Sequence, residues 1–210
     1  DDRKRGASNT FFSLKLDYLW WILIFIFTLF IGLRFQVGGD WFHYLKMLKG
    51  SQELSLLALS IAGDPGYLLL NWLSGLAGFG IYGVNLAGGF FFVFGLAVFC
   101  HHLPRPFLAL TVSIPYLFIV VAMGYTRQGI ALGIGMLALV ALARQGKLQF
   151  YLLVLLAATM HKSAILLFPF AVLTAQKNKY SILITMSLLG FGVGFFLVLE
   201  VLEGLYTNYI

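Results

Sequence analysis

The sequence predicts an all-α fold, a polytopic bundle of transmembrane helices that occupies residues 1–210 as a single domain. Three observations carry that prediction. Of the 210 residues, 60% are hydrophobic and only 10% are charged, with a mean hydropathy of +0.92; an ordinary soluble domain carries about 25% charged residues. The apolar residues fall in continuous runs that need internally bonded helices, not in the short alternating segments of a closed β-barrel. Phe occurs 21 times and Gly 23 times, and both suit helices packed within lipid.

The clearest span is L-W-W-I-L-I-F-I-F-T-L-F-I-G-L, from Leu19 to Leu33. With Tyr18 and Phe35 at its ends it approaches the roughly 20 residues that cross about 30 Å of hydrocarbon. Arg3, Lys4 and Arg5 precede it and favour a cytoplasmic N-terminus. Residues 34–64 then form an extracytoplasmic loop, in which Trp41 to Lys49 alternates rings with basic residues as a short interfacial helix does. Pro65 to Gly83 is apolar but interrupted by glycines and Asn71, whereas Val84 to Cys100 and Phe107 to Gly124 read as spans. Gln128 to Ala143 is shorter, Tyr151 to Ala175 is longer, and Tyr180 to Leu202 closes the series with Glu200 near its end. The total is about seven hydrophobic segments, five or six of them long enough to span.

The basic residues leave one conflict. Lys147 and Lys177 both read as cytoplasmic, yet a single helix over Tyr151 to Ala175 places them on opposite sides. That run makes ~37 Å of helix, enough for one tilted crossing and too little for two. Either one basic cluster faces outward, or the segment breaks near His161 and re-enters, which is tolerated only beside a polar cavity. The side on which His101 to Arg105 lies stays open in the same way.

A formal charge of +6 would point a soluble chain towards nucleic acid, but here the cations occupy short connections between apolar runs. They read as topology signals and contacts to membrane lipids, with no nucleic-acid partner. Cys100 is the one cysteine and ends an apolar run, so it offers neither a disulfide framework nor a metal cluster. H-E-x-x-H and Walker A motifs are absent. Ser74 and Ser163 lack the G-x-S-x-G setting of a serine nucleophile. The first apolar run also lacks the small-residue cleavage pattern of a signal peptide.

Three constellations carry chemistry. Arg127 and Gln128 follow Gly124 and Tyr125 between two apolar runs. Arg127 either snorkels to headgroups or faces a cavity and pairs with phosphate; burying it unpaired costs at least ~2.5–3.5 kcal/mol. His161, Lys162 and Ser163 interrupt a second run, where His161 either packs between helices or donates to phosphate and relays a proton. The third, R-F-Q-V-G-G-D-W followed by G-D-P-G-Y-L-L-L-N-W, holds Arg34, Asp40, Asp64 and Tyr67. Each aspartate is either a base for an alcohol or a helix cap and ion-pair partner.

R-F-x(3)-G-D-W-F-x-Y at Arg34 to Tyr44, D-P-G-Y-L-L-L-N-W-L at Asp64 to Leu73, Y-T-R-Q-G-I-A at Tyr125 to Ala131 and H-K-S-A-x(4)-F-P at His161 to Pro169 stand in the order seen in the EpsG-like family. That family resembles the Wzy-type polymerases of bacterial O-antigen, capsule and exopolysaccharide synthesis. Where it often has Glu before Pro-Gly-Tyr, this chain has Asp64. The resemblance implies a multi-pass protein of the bacterial inner membrane, GT-C-like in architecture and the N-terminal portion of a longer member. It also implies a polymerase that joins oligosaccharide repeats carried on polyprenyl pyrophosphate at the outer face. Its catalytic groups would be Asp40, Asp64, Arg127 and His161, and its substrate-binding groups Arg34, Tyr67, Tyr125, Gln128, Lys162 and Ser163. The donor carries its own leaving group, so no nucleotide cofactor is implied; a divalent metal is left open. A chain-length regulator is a further expected partner. The alternative is a transporter or flippase that binds the same pyrophosphate without breaking it, and a third possibility is a membrane scaffold without catalysis.

Overall fold

A computed structural model describes residues 16–61 and 63–175, together with the isolated residues 180, 187, 190 and 192. The basic N-terminal residues, Lys177 and nearly all of the final apolar run lie outside this set. The described residues are helical, without strands.

Helix α1 spans Tyr18–Gly32 and α2 Trp41–Glu53. A short α3, Leu56–Ile61, leads to α4 at Pro65–Leu76 and α5 at Gly80–His101. Next come α6 at Pro106–Ser113, a π-helical segment at Ile114–Ala122 and α7 at Thr126–Ala143. Helix α8, Lys147–Met160, is followed by a 3₁₀ segment, Lys162–Leu167, and by α9, Phe168–Ala175.

Proline and glycine set the boundaries. Pro65 and Pro106 stand in the first turns of α4 and α6, where an amide hydrogen is not needed. Pro115 lies inside a continuing helix. There it withholds a donor and crowds the carbonyl one turn earlier, and the following turns widen into the π form. Gly78 and Gly80 adopt φ of 74° and 55°, the left-handed region in which a side chain is disfavoured. They divide the interrupted Pro65–Gly83 stretch into α4 and α5.

Two helices are long and apolar enough to cross a bilayer, Gly80–His101 and Thr126–Ala143. The run expected to be the clearest span forms only the 15 residues of α1, ~22 Å of helix, because the chain turns away at Leu33 towards α2. The break near His161 is present. Helix α8 ends at Met160, and His161 is extended with φ −157° and ψ 120°.

Helix α5 is the central post. Gly89 presses on Ile31 and the Thr28 carbonyl of α1, while Gly95 meets the backbone of Gly133 on α7. A Cβ on Gly95 would overlap the Gly133 carbonyl, and one on Gly133 would overlap that of Phe91. Contact between bare backbones is how helices associate where lipid supplies no hydrophobic drive. Large side chains turned outward, among them Phe25, Phe30, Val112 and Leu152, give the bundle an apolar exterior.

Because short turns join α5 to α6 and α7 to α8, successive elements run in opposite directions. One end of the bundle carries the start of α1, His101, Arg105, Arg144 and Lys147; Trp20 packs against His101 and Phe107, and Arg144 contacts His102. The other end gathers Arg34, α2, the start of α4, Arg127 and His161.

Gly95→Ala and Gly133→Ala should each cost about 1–3 kcal/mol of stability, because rigid backbone must give way. Gly50→Ala, in an exposed turn of α2 with open space around it, should be neutral or stabilising by up to about 1 kcal/mol. Thermal unfolding in detergent measures both effects.

Candidate active site

Asp64 is the point at which three distant segments meet. It precedes Pro65 at the start of α4 and is only 6% exposed. Its Oδ2 accepts a hydrogen bond from Arg127 Nη1 at 2.9 Å, and its Oδ1 accepts one from the Lys162 backbone N–H at 3.2 Å. The His161 Nδ1 lies 3.7 Å from Oδ2, in ion-pair range when the ring is protonated and too far for a hydrogen bond.

The local sequence explains the meeting. Pro65 opens α4, and Gly66 lies where a Cβ would strike the Thr159 side chain. The bare glycine therefore lets the end of α8 close on α4. As α8 stops at Met160, the Lys162 N–H is freed from the helix ladder and finds the Asp64 carboxylate. Gly38, with φ 97°, meets the Gly124 backbone. That approach ties the loop before Asp40 to the segment before Arg127.

Arg127 crosses the Tyr44 ring, with Cζ 5.8 Å from its centroid, within the range of a cation–π contact. Tyr44 in turn packs at 5.7 Å from Tyr67 and donates a long hydrogen bond of 3.4 Å to Asp40 Oδ2. Burial first, and then the Asp40 charge, push the Tyr44 phenol above its ordinary 10.0 against the pull of Arg127; it stays a protonated donor. Burial pushes the Asp64 carboxyl upward, but His161, Arg127 and the Lys162 N–H together outweigh it and hold the group below its ordinary 3.8.

Arg34 belongs to a separate, deeper network. It is 5% exposed, donates through Nη1 to the Ile31 carbonyl at 3.0 Å, and through Nη2 to Thr126 Oγ1 at 2.6 Å and Asn85 Oδ1 at 3.2 Å. Burial lowers its pKa below the ordinary arginine value, yet a guanidinium remains cationic. Its contact with Thr126 braces the residue beside Arg127.

Of the residues singled out in the sequence, Asp64, Arg127, His161 and Lys162 come together directly. Tyr67 lies beneath them, fully buried, and Asp40 joins through Tyr44. Gln128, His161 and Ser163 line a cleft of about 820 Å³ whose other walls include Leu117, Val121 and Leu132. Tyr125 stands exposed at the start of α7. Sequence reasoning missed Tyr44, Asn85 and Thr126. A polar Asn85 within the apolar run of α5 was the available signal; the partner it serves was not visible.

Several buried polar atoms have no hydrogen-bond partner among the described residues, including Arg127 Nε, His161 Nδ1, Tyr67 Oη and Asn85 Nδ2. Among the described residues no three His, Cys, Asp or Glu side chains assemble as a metal-holding group. Chemically, the arrangement offers a fixed guanidinium and an imidazole beside a mostly apolar cleft. That combination suits an anionic headgroup joined to an apolar body.

Comparison with known proteins adds one match. The family model described as EpsG family covers residues 17–210. No curated protein and no solved structure matches the chain.

Asp64 is depressed in the folded state, so its pairing stabilises the fold fully above the ordinary value of 3.8 and is lost only as pH falls through the lower, folded value. Thermal midpoints should therefore not change through this group between neutral pH and about pH 5. Asp64→Asn should lower the midpoint across that range and remove part of the acid-limb decline. A double-mutant cycle with Arg127→Gln should give a coupling of about 1–3 kcal/mol.

Proposed function

Because the chain belongs to the EpsG family, whose members are Wzy-like polymerase-type proteins, we propose that it acts in a membrane glycan polymerase. In this reading it joins oligosaccharide repeats carried on polyprenyl pyrophosphate. The observation that carries the reading is the Asp64–Arg127 pair beside His161 at the polar mouth of the cleft.

The acceptor hydroxyl oxygen forms a bond to the anomeric carbon of the donor glycan, the bond from that carbon to the pyrophosphate oxygen breaks, and the hydroxyl proton passes to a base. Arg127 offsets the charge that grows on the leaving pyrophosphate. One of its donors is spent on Asp64, and a guanidinium has five, so pairing orients the group without exhausting it. Asp64, held ionised, is a weak proton acceptor and serves as the orienter. His161 is the cleft residue suited to moving a proton, with Asp40 as a second base. Gln128 and Ser163 supply neutral hydrogen bonds to sugar or phosphate.

The same reading places the site end of the bundle outside the bacterial inner membrane, in a multi-pass protein. Support comes from the opposite end. Arg105, Arg144 and Lys147 gather there, and Arg3, Lys4, Arg5 and Lys15 precede the helix that starts there; cytoplasmic connections are enriched in such residues.

The test uses the full-length protein with its lipid-linked repeat and no nucleotide sugar, followed as product length on a gel. Wild type should form polymer, Arg127→Ala should lose about 100-fold or more in rate, and Arg127→Lys should recover only part of it. Arg144→Ala, at the far end, should polymerise normally. Transbilayer movement of the lipid-linked repeat without polymer would replace this reading with transport.

A further inference from the structure

We propose that Tyr44, itself too deeply buried to touch substrate, is the positioning residue for Arg127, whose guanidinium its ring holds in the orientation that receives a pyrophosphate. The proposal rests on the preceding reading for the identity of the anion, and on separate observations for the role of the ring.

The salt bridge directs Arg127 through a single nitrogen, with Nη1 at 2.9 Å from Asp64 Oδ2. One hydrogen bond fixes where a planar guanidinium sits but leaves its rotation about that bond unset. The Nε atom, whose bonding would set the rotation, is buried and has no hydrogen-bond partner among the described residues. Tyr44 supplies a second restraint, because Arg127 Cζ lies over its ring at 5.8 Å from the centroid.

The ring is itself held firmly enough to serve as a reference. Tyr44 is 2% exposed, packs at 5.7 Å and 60° against Tyr67 of α4, and donates through Oη to Asp40 Oδ2 at 3.4 Å. Helix α2, which carries it, is tied down beyond each end of this contact. Gln52 Nε2 donates to the Asn71 and Trp72 carbonyls of α4 at 3.2 and 3.3 Å. Gly38, just before Asp40, meets the backbone of Gly124, just before Arg127. Ring and arginine are thus registered to each other by backbone contact, so little ordering is left to be done when an anion arrives. Burial also keeps water from the ring face, where a cation–π contact is stronger. The two parts of the side chain have separable duties: the hydroxyl reaches Asp40, and the ring lies under Arg127.

The experiment is a binding cycle on full-length protein in detergent, with farnesyl pyrophosphate as the probe and the thermal midpoint recorded for each variant. Arg127→Ala should weaken binding at least about tenfold. Tyr44→Leu should weaken it about fivefold or more, and Tyr44→Phe, which keeps the ring, should stay within about twofold of wild type. In the Arg127→Ala background, Tyr44→Leu should have no further effect. Ring-fluorinated phenylalanines installed at position 44 keep the shape while drawing electron density from the ring face. Affinity should fall stepwise along that series at an unchanged thermal midpoint, a result that stands even where Tyr44→Leu fails to fold. Full affinity in Tyr44→Leu or throughout the fluorinated series, or an equal loss with and without Arg127, would overturn the role of Tyr44 and leave its ring as packing. Arg127→Ala that binds as tightly as wild type would overturn it together with the preceding reading. The expected pattern in a protein that forms no polymer would sustain the role of Tyr44 while removing the polymerase reading.

Discussion

The ion pair between Asp64 and Arg127 is the constraint on which the site end of this molecule depends. The two residues are 63 positions apart, and the Lys162 amide that shares the carboxylate is a further 35 positions beyond Arg127 in the chain. In lipid each group alone is expensive to bury, the arginine by at least ~2.5–3.5 kcal/mol. Together they offset much of that cost, and removing one leaves the other charge stranded. The pair also settles the break after α8, because a freed amide at that depth needs an acceptor and Asp64 provides it. The starts of α4 and α7 and the break after α8 are therefore held by one carboxylate.

The two ends of this clamp are not equally supported. Asp64 is fixed from below by the α4 turn and by the bare approach of Gly66 to Thr159. Arg127 is fixed through its neighbour, since Thr126 takes a short hydrogen bond from Arg34. Helix α7 itself is seated by the backbone contact of Gly133 with α5. The result is two guanidiniums, from Arg34 and Arg127, near the positive end of α7, with Asp64 as the one carboxylate among the described residues paired directly to either of them. Such a surplus of positive charge in a low-dielectric setting attracts anions strongly.

Much of this was legible in the residues. Apolar runs located the helices, D-P-G marked the turn before α4, and the conflict between Lys147 and Lys177 raised a break near His161 as one of two alternatives for the long run beginning at Tyr151. The resemblance ordered the short motifs, and the EpsG family match over residues 17–210 bears it out. What the residues did not reveal were partners distant in sequence. Asp64 reads alone as a base or a cap; only folding shows that it is Arg127's counterion. Tyr44 looked like an interfacial ring, and its role under Arg127 follows from the placement of α2. The length of α1 was overestimated because apolarity continues past Gly32 while the chain has already turned. The π-helical segment has no sequence signature beyond Pro115, because proline explains a disturbed ladder and not which form the ladder takes.

Arg34 and Arg127 show how burial divides one residue type between two tasks. Both stand beside apolar runs, and both were read as cations for a phosphate. Arg34, 5% exposed, donates to Ile31, Asn85 and Thr126. An anion reaching it would have to break contacts that position α7. Arg127 is 26% exposed, is paired through a single nitrogen, and stands near a cleft containing His161, Gln128 and Ser163. An anion reaching it meets an oriented guanidinium with donors to spare. The difference comes from neighbours and not from residue type: Thr126 and Asn85 engage the first arginine, whereas a lone carboxylate aims the second. The chain thus uses one guanidinium to hold the other's helix, and that division leaves Arg127 the more exposed of the two, with fewer of its donors engaged.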